Sequence, residues 1–281
     1  MNSDKTPFYI GWQDEMPESN RKFLRSIVIA LCVLLPLLAI SVVYWQKPVN
    51  NHSFEFGQLT EISGTYYDLP YPTLVADPAG LPEGRSPNML LVGFGKFGAE
   101  GIISDMEAAH GSSLDGKKVT FRGSLIYGDG KTVLELTEQA DALVKVDATS
   151  SAVAPKMLSL TAATISGEVV DPKCFFGVMK PGDGKTHKSC AIRCISGGVP
   201  PVLRQEVGEE SGNYDYYLIQ DTQGRPVNKR ILSVVGEQVR LNGQTSEANG
   251  WKVLYIDIEN LPLYMMTEEQ MCSGHLLSDN S

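Results

Sequence analysis

The sequence is poor in positive charge. It has 24 Lys and Arg residues against 33 Asp and Glu, a formal net charge of -9 at pH 7. Binding to nucleic acid in general requires a cationic surface that displaces counterions from phosphates, so we expect no nucleic-acid partner. The length of 281 residues is enough for two ordinary domains. Hydrophobic residues make up 42% of the chain, so such domains can bury apolar cores.

Recognisable catalytic motifs are also missing. We find no Gly-x-Ser-x-Gly, no HExxH and no P-loop. A Gly-x-Gly-x-x-Gly pattern at Gly93, Gly95 and Gly98 follows an apolar stretch, but antiparallel hairpins rather than βαβ units come after it. We therefore expect a glycine-rich loop that leads into a helix ending near His110, with no bound nucleotide. No catalytic residue is predicted, and a role other than catalysis is favoured.

Long apolar runs are absent but for one at 26–45, where twenty residues carry no charge. As a helix they would span about 30 Å, the thickness of a bilayer core. Three basic residues precede the run and only Lys47 follows closely, which predicts a cytoplasmic N-terminal tail at 1–25. The run offers no cleavage site for a signal peptidase. We therefore expect a single transmembrane helix in a bacterial-type inner (plasma) membrane, with 46–281 in the extracytoplasmic, periplasmic space.

The region after this run repeats itself. The stretch EISGTYYDLP (61–70) resembles TISGEVVDPK (164–173), and a later Gly-x-x-Val-x-apolar-x-Gly pattern also occurs twice in the same order. These matches predict two copies of one domain. The predicted divisions are domain 1 at 52–147, a linker at 148–158, domain 2 at 159–264 and a flexible tail at 265–281.

Apolar residues in both copies alternate with polar ones, a period typical of strands. Asp129-Gly130 and Asn249-Gly250 tolerate positive φ and are typical of hairpin turns. Gly64 and Gly167 interrupt long first strands, as at the corner of a barrel. The pattern predicts a mainly β fold with two tandem small antiparallel β-barrels, OB-like, the second with an inserted helix. A pair of β-sandwiches is the alternative.

Cysteines are few, and three of the five lie between 174 and 194. No CxxC or CxxCH motif occurs, so neither a thioredoxin-type pair nor a c-type haem is expected. A helix of about ten residues would place His187, Cys190 and Cys194 on one face, and Cys174 could reach them from the end of the first strand. The first copy has no cysteine, so the barrel does not need these residues to fold.

A metal site is one interpretation of this segment. Cys174, His187, Cys190 and Cys194 form a Cys₃His set suited to Zn²⁺, or to Cu(I) with help from Met179. The tail is rich in methionine and adds Cys272 and His275 as possible further ligands.

Two other interpretations stay open. In an oxidising compartment Cys174 could form a disulfide with Cys190 or Cys194, in a purely structural or interaction protein. Alternatively, a cationic patch would lower the thiol pKa values and favour a thiol oxidoreductase. The residues of that predicted patch are Lys173, Lys180, Lys185, Lys188 and Arg193.

A single-span anchor followed by a small outer barrel resembles, in architecture, the haem chaperones of cytochrome c maturation. No haem-attaching His motif matches, so no residue is carried over from them. The sequence leads us to expect a membrane-anchored extracytoplasmic accessory protein with a Cys/His site that binds a metal or is redox-linked. Its expected partners are the membrane and other membrane or periplasmic proteins.

Overall fold

A computed structural model describes residues 16–45, 52–137, 140–147, 159–208 and 212–259. The predicted linker 148–158 and tail 265–281 lie outside these ranges, as do Cys272 and His275. The described part is mainly β. Its helices are α1 (Glu18–Trp45), α2 (Glu100–His110) and α3 (Gly184–Ser196). Its strands are β1 (Ser53–Phe54), β2 (Thr60–Tyr67), β3 (Thr73–Ala76), β4 (Asn88–Val92), β5 (Lys118–Gly128), β6 (Lys131–Leu136), β7 (Leu143–Val146), β8 (Thr161–Val170), β9 (Val202–Glu206), β10 (Tyr214–Asp221), β11 (Gln238–Ala248) and β12 (Trp251–Ile256).

Helix α1 contains the apolar run. Within its 26 residues from Asn20 to Trp45, an 18-residue window has a mean hydropathy of 2.9, and the apolar side chains are exposed. The helix is long and apolar enough to cross a membrane. It begins at Glu18, eight residues before the predicted start, so part of the predicted tail continues the helix.

Each half of the region after α1 closes into a five-stranded barrel rather than a sandwich. The first has the order β2-β3-β4-β6-β5 and returns to β2, with β1 and β7 added on β5. The second has the same succession, β8-β9-β10-β12-β11. One pair in each barrel, β4 with β6 and β10 with β12, is parallel, whereas the other four pairs round each ring are antiparallel. The reason is geometric: a closed ring of five strands cannot alternate in direction all the way round.

Repeated glycines mark where the strands of each barrel approach most closely. A Cβ on Gly64 would lie 2.3 Å from the backbone oxygen of Val75, and a Cβ on Gly167 would lie 2.3 Å from that of Arg204. Any side chain there would collide with the neighbouring strand, which explains glycine at both positions. The two hairpin predictions are confirmed, because Asp129 and Asn249 have φ values of 47° and 50°.

The two barrels pack against each other through one buried cluster. Tyr71 and Val133 of the first barrel lie in it with Phe176 and Trp251 of the second. The Tyr71 hydroxyl donates to the Ile219 carbonyl at 2.7 Å, also across this boundary. As a result, the end of α3 lies directly against the loop 93–98 of the first barrel.

Candidate functional site

The inserted helix α3 positions three of the predicted site residues. It begins three residues before the predicted His187 and ends at Ser196, where Gly197 and Gly198 follow. His187 and Cys194 are buried, while Cys190 is half-buried. His187, Cys190 and Cys194 therefore share one face of α3, as predicted. This face is buried in the protein except at Cys190, which is partly exposed.

Cys174 reaches α3 from the end of β8, because Asp171 turns the chain there. One oxygen of the Asp171 carboxylate accepts the backbone N–H groups of Lys173 at 2.9 Å and Cys174 at 3.2 Å. The chain then makes a single π-helical turn, Cys174–Val178. This local hydrogen bonding orients the thiol of Cys174 towards the helix.

The three thiols lie close together and are not bridged. Cys174 Sγ is 3.9 Å from the Sγ atoms of both Cys190 and Cys194. A disulfide requires about 2.05 Å, and all three are free cysteines. Neither of the predicted disulfides is therefore present in this structure.

Donor atoms converge in two overlapping triads. Those of Cys174, His187 and Cys190 lie within 4.8 Å of one another, and so do those of Asp171, Cys174 and Cys194. Cys174 belongs to both. A buried Cys/His/Cys group of this kind can hold a metal ion.

Two buried polar atoms in this cluster lack a hydrogen-bond partner. They are His187 Nε2 and Asp171 Oδ2, which lie 4.0 Å apart on side chains that are 2% and 0% exposed. Buried polar groups are nearly always satisfied, so such a pair needs an explanation. A bound cation between them and the thiols would supply one.

Asp171 was not among the predicted site residues. The repeat contained a signal for it, because Asp171 corresponds to Asp68 of the first copy. Asp68 is exposed and accepts a hydrogen bond from Tyr66, whereas Asp171 is buried beside the thiols. A buried acid in the copy with the cysteines, matched by an exposed one in the other copy, is a difference that only burial reveals.

The electrostatics of the site keep Cys174 protonated in the absence of a cation. A hydrogen bond with Cys194, burial, and the charge of Asp171 together raise the pKa of the Cys174 thiol far above its ordinary value. A metal ion would reverse this preference, because a coordinating thiol loses its proton. Without one, Cys174 is a poor nucleophile.

Two of the five residues in the predicted cationic patch pair with acids. Lys173 is buried against Glu135 at 2.6 Å, and Lys188 pairs with Glu237 at 2.6 Å. Lys180 donates to the backbone oxygen of His52 at 2.8 Å. Lys185 and Arg193 remain exposed.

A cation that contacts one of the thiols comes from the first barrel. Lys96 Nζ donates to Cys190 Sγ at 3.1 Å, and this contact raises the pKa of the lysine. No sequence pattern pointed to Lys96, because 94 residues separate it from Cys190.

The glycine pattern at 93–98 explains how Lys96 comes to lie beside Cys190. Gly98 N–H donates to the Gly197 carbonyl at 3.0 Å. A Cβ on Gly98 would lie 2.2 Å from the oxygen of Gly198, and one on Gly197 would lie 2.0 Å from the oxygen of Lys96. Gly98 of this pattern and Gly197 after α3 therefore permit contact between the barrels, a role quite different from that in a dinucleotide-binding loop.

Met179 ends the turn that Cys174 begins. Its backbone N–H donates to the Cys174 carbonyl at 3.2 Å, and its side chain is 41% exposed.

Comparison of the chain with models of protein families, with curated proteins and with solved structures gave no match.

Proposed function

We propose that this protein is a membrane-anchored, extracytoplasmic accessory protein that binds one metal ion through Cys174, His187, Cys190 and Cys194. The observation that carries the proposal is the pair of unsatisfied buried atoms, His187 Nε2 and Asp171 Oδ2, among unbridged thiols. Leaving two buried polar atoms without partners costs free energy, and a cation at this point offsets that cost.

The donor set favours a soft or borderline cation. Three thiolates and one imidazole suit Zn²⁺ or Cu(I), whereas Ca²⁺ and Mg²⁺ prefer oxygen ligands. With Zn²⁺ the three thiolates leave one excess negative charge, and the Lys96 ammonium beside Cys190 reduces it. Asp171 adds a carboxylate oxygen close to the same point.

The surrounding architecture supports an accessory role outside the cytoplasm. The strand succession is the same in both five-stranded barrels and is compatible with an OB-type barrel, which supports two tandem copies of one domain. Arg21, Lys22 and Arg25 in the first turns of α1 precede the apolar run, which supports a cytoplasmic N-terminus with both barrels in the periplasmic space. We propose that the protein serves a membrane or periplasmic complex there.

Metal analysis of the full chain, purified in detergent under reducing conditions, tests this proposal. We expect one equivalent of Zn²⁺ or Cu(I) by elemental analysis. Titration with Co²⁺ should give thiolate-to-metal charge-transfer absorption. His187→Ala and Cys194→Ser should each lower the bound metal several-fold.

His110→Ala and Cys32→Ser are the matched controls, because both residues are exposed and lie outside the cluster. Each control should keep the metal content of the wild type. If His187→Ala leaves metal content unchanged, the Cys₃His proposal is wrong.

A thiol-disulfide role is the second candidate. Cys174 Sγ lies at the same distance, 3.9 Å, from two other thiols, so it could pair with either. Thiol counting on the same sample before and after mild oxidation separates the two roles. A redox protein would lose two thiols reversibly and hold no stoichiometric metal.

A further inference from the structure

The loop 93–98, which joins β4 to α2, presents two aromatic rings to solvent. Phe94 is 49% and Phe97 is 65% exposed. Between them, Lys96 points the other way and donates to Cys190 at 3.1 Å. One short loop therefore touches the thiol cluster with one side chain and offers two phenyl rings to the outside.

A cavity of about 590 Å³ opens beside these rings. Phe94 and Phe97 line it together with Ile102 and Met106 of α2. Bare backbone at several glycines, among them Gly197 after α3, forms part of its wall. Gly101 of α2 also lines the cavity, and a Cβ there would meet nothing within 4 Å, so the wall is open to an approaching chain at that point.

The charge at this cavity has one sign. Glu100 and Asp105 are the charged residues that line it, and no basic side chain does so among the described residues. Aromatic rings next to carboxylates are well suited to an ammonium or guanidinium group, which the rings attract through their π faces. The apolar wall in turn accepts an aliphatic or aromatic side chain.

We propose that loop 93–98 and the first turns of α2 form a docking surface for a protein partner. The partner would present an exposed segment with an apolar side chain next to Lys or Arg. Exposed aromatic side chains are enriched at protein interfaces, and they cluster here on one loop. The outward exposure of both rings favours a protein segment over a fully enclosed small molecule. This surface is independent of the metal proposal, although a partner bound to it would lie beside Cys190.

Peptide titration of the full chain in nanodiscs tests the surface directly. Methyl NMR signals of Ile102 and Met106 report on the cavity. The probe is an acetylated, amidated hexapeptide Gly-Lys-Phe-Leu-Lys-Gly. Its matched peptides replace both lysines by glutamate, or the Phe-Leu pair by two alanines. We expect saturable shifts with the first peptide and at least tenfold weaker binding of the other two.

Variants then locate the binding. Phe97→Ala and Asp105→Asn should each weaken it several-fold, whereas Phe56→Ala should not, although Phe56 is 79% exposed. The proposal is overturned if the Ile102 and Met106 signals do not shift, if the glutamate peptide binds equally well, or if Phe97→Ala has no effect. It is also overturned if benzylammonium binds but no peptide does, because the site would then take a small molecule. Phe97→Ala should leave metal content unchanged, so this test can fail or succeed independently of the metal proposal.

Discussion

Replacement of Lys173 by Met would test the buried ion pair with Glu135 that holds the two barrels together. Lys173 and Glu135 are 4% and 8% exposed, and their charged atoms lie 2.6 Å apart. The same ammonium also donates to the carbonyls of Gly93 and Gly95, at 2.8 Å and 2.6 Å. The substitution would leave a buried carboxylate without its cation and two carbonyls without their donor.

The expected loss is large because the partner group stays buried. Removing one member of a buried ion pair typically costs about 3–5 kcal/mol. For a two-barrel region of this size each kcal/mol corresponds to roughly 2–4 °C in Tm, so we expect a decrease of about 6–20 °C. Lys173→Met combined with Glu135→Leu should recover much of the loss, since an apolar pair of similar volume needs no partner.

Urea denaturation of the full chain in detergent, followed by the fluorescence of buried Trp251, measures these differences. Lys145→Met is the matched control, because Lys145 is exposed and such surface changes usually stay within about 0.5 kcal/mol. If Lys173→Met costs no more than Lys145→Met, the buried ion pair does not hold the barrels together. If the double variant is as unstable as the single one, the loss does not come from an uncompensated Glu135.

Lys96→Met should weaken Zn²⁺ binding about 10- to 100-fold, because it removes the donor to Cys190 Sγ and groups that hydrogen-bond to metal ligands have effects of this size. Competition titration with a chelator measures it, and an unchanged affinity would contradict it. Gly98→Ala should cost about 1–3 kcal/mol, since its Cβ would lie 2.2 Å from a backbone oxygen of the second barrel. Gly101→Ala, which meets open space in α2, should be neutral or stabilising, and equal effects in thermal denaturation would refute this account. The free energy of unfolding should also fall as the pH drops below about 4. Burial opposes ionisation of Asp221, but hydrogen bonds from two arginines hold the pKa of this carboxyl well below its usual range. The unfolded chain therefore binds a proton that the folded chain does not, and Asp221→Asn should flatten the decrease in denaturant titrations at about pH 2–6.

Local features of the chain were predictable. The hairpins at Asp129 and Asn249, the helix that carries His187, and the apolar helix before the barrels all follow from a few neighbouring residues. Backbone preferences and hydrophobic periodicity act over such short ranges, so a single sequence is enough to reveal them.

The residues of the candidate site were predicted only in part. His187, Cys190 and Cys194 share a helical face, and Cys174 does approach them. Asp171 was overlooked because its burial depends on how β8 meets α3. The prediction that Lys173 belongs to a cationic patch around the thiols was also wrong, because Lys173 pairs with Glu135 of the other barrel.

The sequence by itself determined the kinds of element and their order, because the hydrophobic period, the turn residues and the glycines are local properties of the chain. Only the tertiary structure decided that the thiols stay unbridged, that two buried polar atoms lack partners, and that Lys96 lies over Cys190. Such contacts join residues far apart in the chain, and their distances depend on how two closed barrels dock. The sulfur–sulfur distance in this cluster is about 2 Å longer than in a disulfide. No local pattern in a sequence carries information on such a distance.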